Sequence, residues 1–195
     1  MSTKNITKTW ALYQSTGFLL GWFFHSVISH LWTGEHEYTL TTSQFIMHSV
    51  SLTGCVLLVL YFQHRAAVYL FQINLGKYWL LYLTVPIIVF WIGFYLKAVP
   101  LDVFLWFLSV GLINGRIMNN ELRLTTNRWL YWSVLSAVIG FVIAAAVLIP
   151  LEPYLSDLNG LALHIVLFTL LGALSGVPMA IVGGIVLNKT LRAIK

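Results

Sequence analysis

His25 and His48 stand in two apolar stretches joined by a short acidic loop, where a buried pair of imidazoles could meet. Gly17, Gly21 and His25 recur at spacing four, so they share one face of a first helix. Gln44, His48, Ser51 and Cys55 follow spacings of four, three and four, which form a polar stripe on a second helix. At about 1.5 Å of rise per residue, the depths of the two histidines differ by about 3 Å. Such a pair could ligate the iron of haem b, relay protons, or hold a divalent metal with Glu35, His36 or Glu37 from the joining loop. Gln44 and Ser51 would line the same site. A plain interhelical hydrogen bond, from His to Ser or to a carbonyl, satisfies the same side chains without any ligand. His30, His36 and His64 fall near helix ends and are expected to be solvated. One cysteine, Cys55, allows neither an internal disulfide nor a cysteine-based zinc site.

The elements that would carry these groups are membrane helices. Of 195 residues, 59% are hydrophobic and 9% are charged. Soluble domains carry about 25% charged residues, so this chain cannot cover itself with polar surface in water. Its apolar runs are continuous and lack the alternation of a membrane β-barrel. The expected fold is all-α and polytopic. Six transmembrane helices, near 10–32, 43–63, 78–97, 101–118, 128–150 and 161–188, form one domain over 1–195. They are arranged as three tandem hairpins, about 10–65, 78–123 and 128–192. Counted this way, ten of the eleven basic residues fall on one side and Lys97 alone on the other. Five of the six acids take the opposite side. That asymmetry predicts both termini in the cytoplasm, in a bacterial inner membrane or another cytoplasm-facing one. The net charge of +5 then belongs to a rim meeting anionic headgroups of the lipid bilayer, and no nucleic acid is implied.

Three pairs, Gly17 with Gly21, Gly111 with Gly115 and Gly172 with Gly176, have the spacing that lets helix backbones approach closely. They serve packing within the chain, a homo-oligomer or a membrane partner subunit. Trp10, Trp79 and Trp129 each follow a basic residue and precede an aromatic by three, namely Tyr13, Tyr82 and Trp132. Gly17, Pro86 and Ser136 come at plus seven, which suggests a repeated hairpin. Most Trp and Tyr are expected as belts at the interfaces, with Trp22, Trp91 and Trp106 deeper. Segment 66–76 is expected to lie along the inner interface, and the fifth helix to end near Pro150. Asn114, Arg116, Asn119, Asn120, Glu121 and Arg123 form a polar patch at the cytoplasmic face, suited to a partner or to headgroup anchoring.

The run Gly111 to Ser136, with Gly115, Asn120, Leu122-Arg123, then Trp129, Trp132-Ser133 and Gly140, resembles a group of multi-pass bacterial membrane proteins common in cyanobacteria. Those have repeated Gly-rich hairpins with a Gln-Trp-Leu-Arg exit, where this chain has Asn119-Asn120. The resemblance implies the hairpin architecture and no catalytic residue. Six helices with both termini inside are also similar to the substrate-binding subunits of energy-coupling-factor transporters. By that resemblance Gly17 and Gly21 would dock a partner and Thr33–Thr42 would gate a pocket.

No phosphate loop, dinucleotide fingerprint, HExxH or nucleophile elbow occurs in the sequence, and no catalytic residue is assigned. Three functions stand. A small-solute transport or channel component predicts a cavity open to the outside between helices one, two and six. The membrane subunit of a larger assembly predicts an outward strip of small residues. A haem- or metal-binding redox or sensor protein predicts that His25 faces His48.

Overall fold

A computed structural model describes residues 3–33, 42–95, 101–123, 127–155 and 160–194. Among them are six α-helices and no strand: α1 (Thr3–Thr33), α2 (Thr42–Phe71), α3 (Trp79–Tyr95), α4 (Leu101–Glu121), α5 (Arg128–Leu155) and α6 (Gly160–Ile194). A 3-10 turn, Leu75–Tyr78, leads into α3. Three helical segments are long and apolar enough to cross a membrane: Ser49–Phe71, Trp129–Leu151 and Gly160–Arg192.

Several helices end later than expected, for local reasons. α2 continues through residues 66–71 as part of the core, because Ala66, Ala67 and Leu70 are buried. It stops where Gln72 turns left-handed at φ 58° and donates its N–H to the Val68 carbonyl at 2.9 Å. α4 is closed in a related way by Arg123, at φ 50°, whose N–H bonds the Asn120 carbonyl. α5 runs through Pro150 and Pro153 to Leu155. Each proline removes one backbone bond without stopping the helix.

Each helix packs on its neighbour in sequence, and α1 also packs on α6. The six therefore close into a ring, with the seam between α2 and α3 the slightest. Glycine sets the tight seams. A Cβ at Gly17 would lie 3.1 Å from the Val59 backbone, and one at Gly21 would lie 2.9 Å from the Cys55 carbonyl. Gly111 and Gly115 admit Ser133 and Leu130 of α5 in the same manner. On α6, Gly172 and Gly176 leave hollows filled by the Trp22 and Phe18 side chains of α1. All three glycine pairs are thus occupied inside the chain.

The centre of the ring is aromatic. Phe18 stacks on Phe107 of α4 at 6.1 Å, and Trp22 stacks on both Phe107 and Phe168. Trp106 meets the Trp22 ring edge-on at 5.3 Å. Trp10 and Trp129 are not belt residues. Both are fully buried, edge to face at 5.7 Å. Trp91, expected deep, is exposed, as are Trp79 and Trp132. Trp10 and Trp129 therefore differ from Trp79 despite their matching sequence positions.

The tightest seam is α5 on α6, where a Cβ at Gly140 would drive into the Ser175 carbonyl. That obstacle is backbone and cannot rotate away. Gly140→Ala is expected to destabilise by about 1–3 kcal/mol, whereas Gly183→Ala, with 3.4 Å of clearance, should be neutral or gain up to about 1 kcal/mol. Thermal midpoints of the two variants in detergent check this, and equal midpoints would refute the seam.

Candidate functional site

His25 is buried on α1 and shares a 2.9 Å hydrogen bond, through its Nδ1, with the Ser51 hydroxyl of α2. Trp22 and Phe168 both stand perpendicular to its ring with centroids at 5.4 Å. Trp22 of α1 and Phe168 of α6 stack on one another here and bring those two helices together around the His25 ring.

The contacts of Gly21 with Cys55 and of Gly17 with Phe62 fix the register of the antiparallel pair α1 and α2. Ser51 then stands opposite His25. His48 lies three residues earlier on α2, about 4.5 Å along the axis. The side chains of Gln44 and His48, and all of Glu35, His36 and Glu37, lie outside the described residues. Among the described residues no three His, Cys, Asp or Glu side chains converge on a metal-sized site. His64 is half-buried rather than freely solvated, and its Nδ1 accepts the Leu75 N–H at 3.2 Å.

The six polar residues at the end of α4 do not share a surface. Arg116, Asn120 and Arg123 are exposed, while Asn114 and Asn119 are buried. The Asn119 amide donates to Asn127 at the long distance of 3.5 Å. Glu121 is held by two groups preceding α3. Its Oε1 accepts the Tyr78 hydroxyl at 2.5 Å and lies 2.7 Å from the Lys77 ammonium.

A second constellation has no local signal in the sequence. Phe62 faces α1, and His64 faces α3 through Leu75 and Trp79. Successive helical residues turn by about 100°, so Gln63, between them, points into the ring. It is 1% exposed, and neither amide atom has a partner. Tyr82 is buried on α3 between exposed Leu81 and Thr84, and its hydroxyl is unpartnered. Asn114 is seven residues beyond Phe107, hence on the same central stripe of α4, with its Oδ1 unpartnered. Ser133 on α5 has an unpartnered hydroxyl beside Gly115. Gln14, one turn before Phe18 on α1, is buried with its Oε1 near Gly183. The indole nitrogens of Trp10 and Trp129 complete the set, also unpartnered.

Helix register places these groups at similar depth. Gln63 adjoins the level of Gly17, and Gln14 lies three residues below it. Ser133 is one turn from Trp129, which touches Trp10. Tyr82 is one turn above Tyr78, whose partner Glu121 ends α4. Five helices thus each contribute a buried polar group to a layer about one to two turns thick. The aromatic centre around Phe18 and Phe107 bounds the layer on one side, and the Trp10–Trp129 pair on the other.

No protein-family model matches the chain, and no curated protein or solved structure is significantly similar to it. Functional inference therefore starts from this geometry.

Two predictions follow from the charged and polar contacts. Ser51→Ala strips the Nδ1 partner from a desolvated imidazole and should cost about 1–3 kcal/mol, with little further loss when His25→Ala is added to it than the single histidine change causes. A thermal double-mutant cycle in detergent measures the coupling, and strict additivity would contradict it. Lys77 first, and then Tyr78, hold the Glu121 carboxyl below its ordinary 4.5. A depressed carboxyl stabilises fully above its unfolded pKa, and the contribution is lost as pH falls through the lower folded value. Glu121→Gln should therefore flatten the loss of stability below about pH 4.5. With the Lys77 side chain 59% exposed, the effect is screened and small. An unchanged acid limb would show that the contact adds nothing.

Proposed function

We propose that the protein spans the membrane six times, with both termini cytoplasmic, and forms the solute-binding part of a small-solute transport or channel system. The observation that carries the functional reading is the central layer of buried, unpartnered polar side chains. Orphaned polar atoms in a low-dielectric interior are costly, and in native proteins they commonly mark sites where water or a ligand completes the bonds.

The membrane reading draws on where polarity sits. Gln14, His25, Ser26 and Ser29 on α1 and Ser109, Asn114 and Asn119 on α4 are polar, and every one of these is buried. The outer faces of these two helices expose Leu12, Leu20, Phe23, Phe24 and Leu31 on α1 and Leu112 on α4. Polar groups inside and large apolar groups outside suit lipid rather than water. All six helices then cross, and Lys8, Arg65, Lys77, Arg116, Arg123, Lys189 and Arg192 gather at the end where α1 begins. Excess Lys and Arg mark the cytoplasmic side. The layer lies in that half of the ring, so it is reached from the cytoplasm past Trp10 and Trp129.

Site-directed labelling tests this. In a Cys55→Ser background, Asn114→Cys should react with a small impermeant thiosulfonate applied to inside-out vesicles, faster than Leu112→Cys on the outer face by at least tenfold. Arg123→Cys serves as the cytoplasmic control. An Asn114→Cys that stays inert from both membrane faces while Arg123→Cys is labelled would refute an accessible layer, and would favour a packed accessory subunit.

A further inference from the structure

We infer that the layer selects uncharged solutes of a few heavy atoms that both donate and accept hydrogen bonds, as small amides and polyols do. This rests on the proposal that the layer is a solute site, and it concerns what that site can hold.

The side chains at that depth are three amides (Gln14, Gln63 and Asn114), a phenol, a serine hydroxyl and two indoles. The unpartnered donors are the Gln63 Nε2 and the Trp10 and Trp129 Nε1 groups, and the unpartnered acceptors are Gln63 Oε1 and Asn114 Oδ1. The Tyr82 and Ser133 hydroxyls serve in either role. Donors and acceptors are thus mixed and arise from five different helices. Among the described residues no Asp, Glu, Lys or Arg is buried, so nothing in the layer compensates a full charge. A desolvated ion needs an opposite charge or a dense shell of aligned dipoles, and neither of these is assembled here. A neutral molecule with both kinds of group can satisfy the orphans without that demand. Apolar molecules are selected against, because they would leave every orphan unmatched. Trp10 and Trp129 supply aromatic walls beside their N–H groups, which suits a compact solute with one apolar face.

A structural polar network and a solute site respond differently to isosteric apolar substitution. Asn114→Leu and Gln63→Leu remove unpartnered atoms, so thermal stability should hold or rise. Solute handling should fall.

The test uses the full chain in proteoliposomes of neutral and anionic phospholipid, with radiolabelled urea, glycerol, rubidium and glutamate as probes. Urea or glycerol flux is expected at tenfold or more over empty vesicles, reduced at least tenfold by either leucine variant at an unchanged or higher thermal midpoint. Rubidium and glutamate are expected at background. Rubidium or glutamate flux that the leucine variants abolish would overturn neutral selection while leaving a solute site in place. Urea or glycerol flux that is equal in wild type and variants overturns the assignment to this layer. Background flux of urea and glycerol while Asn114→Cys is labelled from the cytoplasmic side overturns the inference about substrate class and spares the accessible layer. Background flux with Asn114→Cys inert overturns both.

Discussion

The two-faced character of α1 is the constraint on which the ring depends. One side of it is stripped to backbone at Gly17 and Gly21, so that α2 can close onto it at Val59 and Cys55. The adjoining side carries Phe18 and Trp22, which fill the hollows at Gly176 and Gly172 on α6. The same two rings reach across to Phe107 of α4. One helix therefore sets the spacing of both neighbours and of the helix opposite. Helix association in lipid has no bulk hydrophobic drive, so such surface fit must supply the attraction. The ring-stacking contacts add directional preference. The charged contact of Lys77 and Tyr78 with Glu121 is peripheral by comparison, being half in solvent.

Filling the centre with five aromatic rings has a second effect. It divides the interior into two levels of different character. At the level of His25, aromatic rings surround a polar pair that bonds to itself through Ser51. At the level of Gln14 and Gln63, polar groups come from different helices and do not pair with one another. Both levels are buried; indole nitrogens of Trp22 and Trp106 are left over at the first, and amide and hydroxyl groups that can also accept are left over at the second. The more conspicuous sequence feature, the histidine pair, thus marks the level with a hydrogen bond already in place. The less conspicuous residues mark the level where amide and hydroxyl groups stand unpartnered.

That inversion explains how much was legible beforehand. Helicity, the helix count and the Gly-x-x-x-Gly seams are local patterns and could be read directly. The partner that His25 takes in Ser51 could not be read from depth alone, because register is set elsewhere, by Gly17 and Gly21 against α2. Helix ends were misplaced where Gln72 and Arg123 adopt positive φ without being glycine, and where prolines lie inside α5. Trp10 and Trp129 look like interface anchors in sequence, and only the closure of α5 beside α1 against α6 buries them. Gln63, Tyr82 and Ser133 stand one to a helix, each in a different stretch, so no window of sequence contains their relation. Asn114 was noticed for its charged neighbours, whereas its seven-residue interval from Phe107 determines its direction.

The energetic argument for a working interior follows from what the fold could have used instead. Leucine at position 63 or 114 would fill similar volume and leave no bond unmade. Each buried amide left unpaired costs about 1–3 kcal/mol by mutational measures, and several stand together here. Packing does not require them, since the seams are formed by glycine and aromatic contacts at other positions. Register does not require them either, because a polar group specifies register by pairing, and Gln63 and Asn114 Oδ1 have no protein partner. On the proposed reading, these groups are retained for a molecule, solute or water, that supplies the missing bonds. Under that proposal, the lack of a buried charge among the described residues favours a molecule close to neutral, and interleaved donors and acceptors favour one that offers both.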